Sequence, residues 1–297
     1  MKIFINFANK KFASQQKLAL KTARIFGGFD KVIGYTPENI DDDFWVKNEQ
    51  ILSQPKGAGL WLWKPYFIYK TLMEAKEGDY IFYLDSGYFF THSVNYLVDV
   101  LEKSDQEIMS FQTYYPEEQW TKKSLFERMG CKGEEFEKTN QFMATMCLLK
   151  NSDRARRFVQ EWLLLACDYA NISDAENGDG GMEFVEHRHD QSIYSLLCKR
   201  EGLSSFKAPY IFAELGAAYA VMKKTSLVYD CKLTFNFGSF ANSNYPVMLQ
   251  VNKPFNFLGL NLNLFFIPLV YFKVLNLIPF RSSAYNFLLR LGMKGLG

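Results

Sequence analysis

The sequence lacks the short motifs that mark several common classes of nucleotide-binding proteins and hydrolases. It contains no G-x-x-x-x-G-K-[ST] segment, so it has no P-loop. No G-x-G-x-x-G follows the first predicted strand, which excludes the dinucleotide fingerprint. A G-x-S-x-G hydrolase elbow is absent as well. No unit repeats at a period of about 20–50 residues, so a solenoid is not expected.

Cysteine, histidine and net charge are also sparse. The 297 residues include five cysteines and no C-x-x-C pair, which predicts reduced thiols in a cytosolic protein rather than disulfides or a zinc site. A formal net charge of +2 is too small to indicate a nucleic-acid partner. The N-terminal MKIFINFANKKF has no long apolar h-region of a signal peptide, and it is predicted to be the first strand of the fold.

The order of predicted elements indicates an α/β fold with a mostly parallel sheet flanked by helices. A strand over 2–7, a helix over 14–26 and a strand ending near Tyr35 favour a parallel pair with a crossover helix. Further strands are predicted over 80–85, 107–112 and 141–150. Further helices are predicted over 64–75, 92–104, 152–170 and 190–202. The charged, irregular segment 117–137 is expected to be an insertion that lines a site.

The segment 80–90, YIFYLDSGYFF, is an apolar strand that ends at the carboxylate of Asp85. A buried carboxylate is costly unless it is paired, so Asp85 is expected at the strand tip, facing a cleft, with a partner. Followed by Ser86 and Gly87, it can hold Mg²⁺ or Mn²⁺ against a diphosphate that supplies the other oxygen ligands. The alternative is an ordinary turn, which Asp, Ser and Gly all favour. The position after a fully apolar strand favours the site.

The segment GAGLWLWKPY combines a glycine-rich loop with two tryptophans and a lysine. Gly57 and Gly59 permit close approach of the backbone to a ligand. Trp61 and Trp63 offer faces for a base or a sugar, and Lys64 offers a charge for phosphate at a helix start. The alternative is that both tryptophans pack in the core and the lysine is solvated. Two tryptophans beside a glycine loop modestly favour function.

The segment EHRHD holds His187 and His189, two of the three histidines in the chain, followed by Asp190. Imidazole and carboxylate both bind divalent ions, but a lone H-x-H supplies too few ligands for a zinc site. Asp190 is predicted either to cap the following helix or to act as a general base at a helix start that faces the cleft. Sequence spacing does not separate these two roles.

The series INFANKKF, GAGLWLWKPYFIYKTL, GDYIFYLDSG and HRHDQSIYSLL resembles bacterial surface-polysaccharide glycosyltransferases of the GT-A class, which act in capsule and O-antigen synthesis. The resemblance covers motif order over about residues 2–197, and W-x-W-K-P-Y and D-Q-S are its specific parts. It implies a Rossmann-like sheet that binds a UDP-sugar at the carboxyl ends of its strands.

The resemblance also implies roles for individual residues. Asp85 falls where the family's D-x-D begins, but Gly87 replaces the second acid. A divalent cation, Mn²⁺ or Mg²⁺, would then be held mainly by the diphosphate or be dispensable, with Lys64 neutralising phosphate. Asp190 falls where inverting enzymes place the catalytic base, and His187 and His189 are assigned to the acceptor. The residues assigned to the donor are Ala8, Tyr35, Gly59, Trp61, Lys64, Asp85 and Ser86.

Residues 251–297 differ in character from residues 1–250, the predicted transferase domain. Segment 255–280 is long enough to span a bilayer, which takes roughly 20 residues, but it contains Asn261, Asn263, Lys273, Asn276 and two prolines. This C-terminal extension is predicted to be helical. Either it lies in the membrane interface, flanked by basic residues, or it packs on the domain as a helical pair; both are equally supported. The high aromatic content, 17%, suits a large core, sugar-stacking platforms or a membrane surface.

The predicted function is hexosyl transfer from a UDP-sugar to a hydroxyl of a lipid-linked or growing polysaccharide. By family habit the donor is UDP-galactose or UDP-galactofuranose. The acceptor is expected to be polyprenyl-diphosphate-linked, and the enzyme peripheral on the cytoplasmic face of the membrane. The alternative is a non-catalytic nucleotide- or sugar-binding module on the membrane surface, which the missing second acid favours. A nucleotidyltransferase would need a glycine-rich signature that ANKKFASQQ lacks.

Overall fold

The first strand carries apolar side chains on both of its faces, and both faces are buried. In strand β1 (Lys2–Phe7), Ile3 and Ile5 enter one hydrophobic cluster while Phe4 enters another. Burial on both faces is typical of strands in a sheet that carries helices on each side. A computed structural model of the chain describes residues 1–176, 178–210, 240–251, 254–257 and 260–263.

The strands form one large sheet and two small ones. After β1 come β2 (Lys31–Tyr35), β3 (Tyr80–Leu84), β4 (Tyr88–Phe90), β5 (Ile108–Pro116), β6 (Asn140–Lys150), β7 (Ser205–Phe206), β8 (Leu249–Val251), β9 (Pro254–Phe257) and β10 (Leu260–Asn263). The large sheet has six strands in the order β2-β1-β3-β6-β5-β7. Its pairs β1–β2, β1–β3 and β5–β7 are parallel, whereas β6 runs antiparallel to β3 and β5. Strand β4 pairs with β8, and β9 with β10, both antiparallel.

Helices cover both faces of the large sheet. They are α1 (Ala13–Thr22), α2 (Asp42–Lys47), α3 (Glu49–Leu52), α4 (Gly57–Leu60), α5 (Trp63–Glu74), α6 (Asn95–Glu102), α7 (Lys123–Arg128), α8 (Glu134–Glu137), α9 (Asp153–Ala166), α10 (Tyr169–Ile172) and α11 (Asp190–Arg200). Buried residues of α5, α9 and α11 share a cluster with one face, and those of α1 and α6 share a cluster with the other. The predicted α/β architecture, a mostly parallel sheet flanked by helices, is confirmed.

The segment 117–137 is more ordered and more buried than an irregular insertion. It contains α7, α8 and a short 3₁₀ turn, and Glu117 is fully buried. The Glu117 carboxylate accepts from Thr121 at 2.6 Å and Gln141 at 2.9 Å, and it pairs with Lys199 of α11 at 2.8 Å. The expectation that this segment is irregular is therefore wrong, because it forms short helices and a buried ion pair fixes it onto α11. Its role in lining a site stays a prediction.

Part of the C-terminal extension also differs from expectation. Strands β9 and β10 form an antiparallel pair where the sequence predicted helix. The alternating LNLN of β10 has the period of a strand rather than of a helix. The rest of the predicted interfacial segment, 264–280, lies outside the described residues. Within the described part of the chain, every helix is too short or too polar to cross a membrane.

The described cysteines are free thiols, namely Cys131, Cys147, Cys167 and Cys198. Cys231 lies outside the described residues. Burial raises the pKa of Cys198 to about 12 and that of Cys167 to about 11, so both are protonated at neutral pH.

Candidate active site

Asp85 stands at the carboxyl end of β3, where the sequence predicted a carboxylate at a strand tip. Its main-chain N–H donates to Thr145 O at 2.9 Å and so fixes the tip against β6. Its side chain is 30% exposed and is the most accessible member of a charged cluster. Tyr83, two residues earlier on the same face of the strand, donates its hydroxyl to Asp85 Oδ1 at 2.5 Å. Lys64 Nζ lies 3.5 Å from the same oxygen and supplies the expected partner.

Lys64 lies in the first turn of α5 and is held between two carboxylates. Its Nζ atom is 3.5 Å from Asp85 Oδ1 and 3.1 Å from Asp190 Oδ2. The rings of Trp63 and Tyr83 lie 5.8 and 5.5 Å from the ammonium. Burial lowers the pKa of this lysine, but the charges of Asp190 and Asp85 outweigh burial, so the net pKa is raised. Lys64 is therefore a buried ammonium that is charged at neutral pH.

Asp190 is the first residue of α11, so the predicted helix start is at the expected position. Its side chain is 4% exposed. Burial raises the pKa of Asp190 to about 6, against the opposing effect of Lys64. Trp162 Nε1 donates to the Asp190 carbonyl at 3.0 Å and ties the helix start to α9. The fold thus brings Asp190 together with Lys64 and Asp85, both of which lie more than a hundred residues earlier in the sequence.

The glycine loop before α5 fixes the start of this helix through its backbone conformation. Gly59 has φ +99°, and a Cβ there would lie 2.8 Å from Leu52 Cα. Ala58 and Trp61 also have positive φ, at 52° and 61°. Trp63 Nε1 donates to Gly57 O at 2.9 Å, which closes the loop onto the helix start. This compact left-handed turn sets where α5 begins, and hence where Lys64 points.

The two tryptophans of W-L-W-K have different surroundings. Trp63 is buried and stacks on Phe7, with ring centroids 3.9 Å apart, so it packs in the core. Trp61 is partly buried, and its ring centroid is 5.2 Å from that of His189. The assignment of Trp61 and Gly59 to donor binding stays a prediction.

The two histidines of EHRHD are each 2% exposed. His187 donates from Nε2 to Asn171 O at 2.9 Å, and His189 donates from Nδ1 to Ile172 O at 2.7 Å. Burial lowers the pKa of both rings, so they are neutral at pH 7. In this structure both rings hold the segment before α11 onto the end of α10. Their assignment to the acceptor stays a prediction.

The remaining donor candidates lie around the ends of β1 and β2. Ser86 donates to Phe7 O at 3.0 Å and so joins the tips of β3 and β1. Ala8, which follows Phe7 in the sequence, lines a cavity of about 400 Å³. Tyr35 instead lines another cavity, of about 480 Å³, and its hydroxyl pairs with Thr71 Oγ1 at 3.0 Å. Ser86, next to Asp85 in the sequence, thus binds the end of β1 just before Ala8, whereas the Tyr35 side chain lies on the side of α5.

Sequence reasoning missed two contributors to this region. Tyr83 orients Asp85 through its hydroxyl. The sequence could have indicated this contact, because residues two apart on a strand point to the same face. Lys10 and Lys11 line the cavity beside Ala8 and give it a basic edge. Their position in ANKKF after the first strand was the available signal, because loops at strand ends carry ligand contacts.

The donor atoms present limit how a divalent cation could be held. In the described ranges, no three His, Cys, Asp or Glu side chains cluster as metal ligands. Asp85 Oδ1 already contacts Tyr83 and Lys64, which leaves Oδ2 of one carboxylate. These residues fit an ion that takes most of its ligands from a bound diphosphate, as Mg²⁺ commonly does.

Comparisons with known proteins found no matching family model and no matching curated protein. Three solved structures show a weak structural likeness. Mouse xyloside xylosyltransferase 1 is 12% identical with a TM-score of 0.45, over 84% of this chain and 97% of that one. Galactosyltransferase LgtC, solved with donor and acceptor sugar analogues, is 14% identical with a TM-score of 0.48, over 92% and 96%. Glycosyltransferase GlyE of Streptococcus pneumoniae is 14% identical with a TM-score of 0.44, over 92% and 63%.

Proposed function

We propose that the chain is a glycosyltransferase that moves a hexosyl residue from a UDP-sugar to a hydroxyl of a glycan acceptor. The donor's diphosphate would bind at the tip of β3, and its nucleoside would extend towards the cavity beside Ala8. The acceptor would be a lipid-linked or growing surface polysaccharide, such as a polyprenyl-diphosphate-linked glycan. The enzyme would work at the cytoplasmic face of the membrane, with its C-terminal extension at the surface.

One observation carries this proposal: a buried ammonium beside a partly exposed carboxylate at the carboxyl ends of the parallel strands. Ligands of α/β sheets bind outside these strand ends. A positive charge in a site of low dielectric is well suited to a diphosphate. Lys64 lies in the first turn of α5 and Asp190 in the first turn of α11, so the N-termini of two helices also converge there.

The chemistry follows from where charge develops during transfer. The acceptor oxygen would form a bond to the anomeric carbon while the bond from that carbon to the diphosphate breaks. Negative charge then accumulates on the leaving diphosphate, and the Lys64 ammonium stabilises it by fixed electrostatics. A divalent cation held by Asp85 and the diphosphate would supply the same stabilisation. The resemblance places Asp190 where enzymes that invert the anomeric centre hold the base that accepts the acceptor's proton. A retaining enzyme would not need Asp190 as a base, and the proton would then pass to an oxygen of the leaving diphosphate.

A non-catalytic binding module is the second candidate function. Gly87 in place of a second acid favours it, because the protein then offers one carboxylate to a cation. Binding of UDP without any turnover of a UDP-sugar would support this candidate.

Calorimetry with a panel of UDP-sugars, with and without Mn²⁺, tests the proposal. We expect one donor, with UDP-galactose and UDP-galactofuranose tested first, to bind at micromolar concentration and to be slowly hydrolysed without acceptor. Asp85→Asn should weaken binding at least tenfold, because it removes the carboxylate that orients Lys64 and any cation. No binding of UDP or of any UDP-sugar would contradict the proposal.

A further inference from the structure

The three charged side chains at the tip of β3, Asp85, Lys64 and Asp190, differ in their exposure to solvent. Asp85 is 30% exposed, whereas the side chains of Lys64 and Asp190 are each 4% exposed. Lys64 Nζ contacts both carboxylates, at 3.5 and 3.1 Å, so the ammonium lies between them. A general base must come within about 2.6–3.2 Å of the hydroxyl that it deprotonates. In this structure the charged atom nearest to the Asp190 carboxylate belongs to Lys64.

The backbone around Asp190 is fixed from several directions. Trp162 Nε1 donates to its carbonyl at 3.0 Å. Gln191 Nε2 donates to Gln141 Oε1 at 2.7 Å and links the helix start to β6. His189 is bound to a carbonyl at the end of α10 and has φ +53°, a value that non-glycine residues keep only where their surroundings enforce it. These contacts fix the backbone at Asp190, so its carboxylate can leave Lys64 only by rotation of its own side chain.

Asp190 is the closer of the two carboxylates that hold Lys64, at 3.1 Å against 3.5 Å for Asp85. Burial lowers the pKa of Lys64 and the two carboxylates raise it, so both bind the ammonium form. Asp85 also contacts Tyr83 and solvent, so Asp190 is the one carboxylate of the two that is buried with the ammonium. Removing it would leave Lys64 with a single, partly exposed partner.

We propose that Asp190 is a positioning residue that holds the Lys64 ammonium in place for the donor's diphosphate, rather than the catalytic base. This inference rests on the proposed function and deepens it. It predicts that Asp190 acts on donor affinity, whereas a base acts on turnover with affinity unchanged.

The decisive experiment is a double-mutant cycle with UDP binding by calorimetry and hydrolysis of the active UDP-sugar as readouts. We expect Asp190→Asn to weaken UDP binding about tenfold or more, close to the loss in Lys64→Met. The variant with both changes should bind UDP no more weakly than Lys64→Met, because the two residues act as one unit. Asp190→Glu, which keeps the carboxylate, should restore part of the affinity. Unchanged UDP affinity in Asp190→Asn, with turnover lost, would overturn the inference.

The matched control uses another ion pair on the same helix. Lys70 of α5 pairs with Asp41 at 2.7 Å, away from Asp85, so Lys70→Met should leave UDP affinity unchanged. Loss of affinity in this control as large as in Asp190→Asn would also overturn the inference.

A second measurement needs no variant and so does not depend on folding of the mutants. Protonation of Asp190 in the unmodified protein breaks the ion pair, and its pKa is about 6. We expect the affinity for the UDP-sugar, whose diphosphate does not titrate near this pH, to fall as pH drops from 7 to 5. Affinity that stays constant or rises over this range, with only turnover falling, contradicts a positioning role. Absence of any UDP binding would instead count against the proposed function.

Discussion

At the scale of single residues, Lys64 is the group on which the candidate site depends. It is almost fully buried and contacts one partly exposed carboxylate, Asp85, and one buried carboxylate, Asp190. Breaking a buried ion pair by removing one partner is strongly destabilising, since it leaves a charge without compensation. The lysine therefore affects the stability of the fold as well as the site.

We expect Lys64→Met to lower the free energy of unfolding by about 3–5 kcal/mol, the usual cost of breaking a buried ion pair. Adding Asp190→Asn should recover part of the loss, because the uncompensated charge is then removed from the interior. Urea unfolding followed by circular dichroism measures both differences. Equal stability of Lys64→Met and the unmodified protein would show that Lys64 is not buried as a charged group.

The sequence indicated the three charged residues but not their arrangement. Asp85 after an apolar strand, Lys64 at a helix start and Asp190 at another were each recognisable as local patterns. That Lys64 lies between the two acids depends on strand order and on the docking of α5 and α11, which local patterns do not encode. The same limit explains why no local pattern indicated the second buried pair, between Lys199 and Glu117.

At the scale of elements, the turn before α5 determines where the lysine is placed. Gly59 combines φ +99° with a closely packed Leu52 backbone, so any side chain would meet both strain and a steric clash. Gly78 has φ +81°, yet nothing lies within 4 Å of the position of its Cβ. A comparison of alanine substitutions at these two positions therefore separates the cost of backbone strain from the cost of steric crowding.

We expect Gly59→Ala to destabilise the protein by more than the ~1 kcal/mol of strain alone. It should also weaken UDP binding, because displacement of the turn moves Lys64. Gly78→Ala serves as the matched control, and it should show the smaller stability loss and unchanged UDP affinity. Thermal unfolding and calorimetry give the two readouts. Equal effects at both positions would show that the Gly59 turn does not position the lysine.

At the scale of the whole molecule, element types were more predictable than pairing directions. Most of the sheet and the main helices overlap segments predicted as such, with β5 extending four residues past its predicted end. These elements are β1, β2, β3, β5, β6, α1, α5, α6, α9 and α11. The antiparallel direction of β6 was not predictable, because a strand buried on both faces has the same apolar run in either direction. Strand β4 was missed because three residues after a turn carry too little periodicity.

The C-terminal extension gives the last prediction, since its basic and aromatic residues are the basis for membrane association. We expect the full chain to sediment with vesicles that contain anionic lipid, and to be released by high salt. A chain ending at residue 254 keeps β8 paired with β4 and should stay in the supernatant while still binding UDP. Sedimentation of that shortened chain with the same vesicles would show that the extension is not the anchor. Failure of the full chain to bind would remove the membrane surface as a partner.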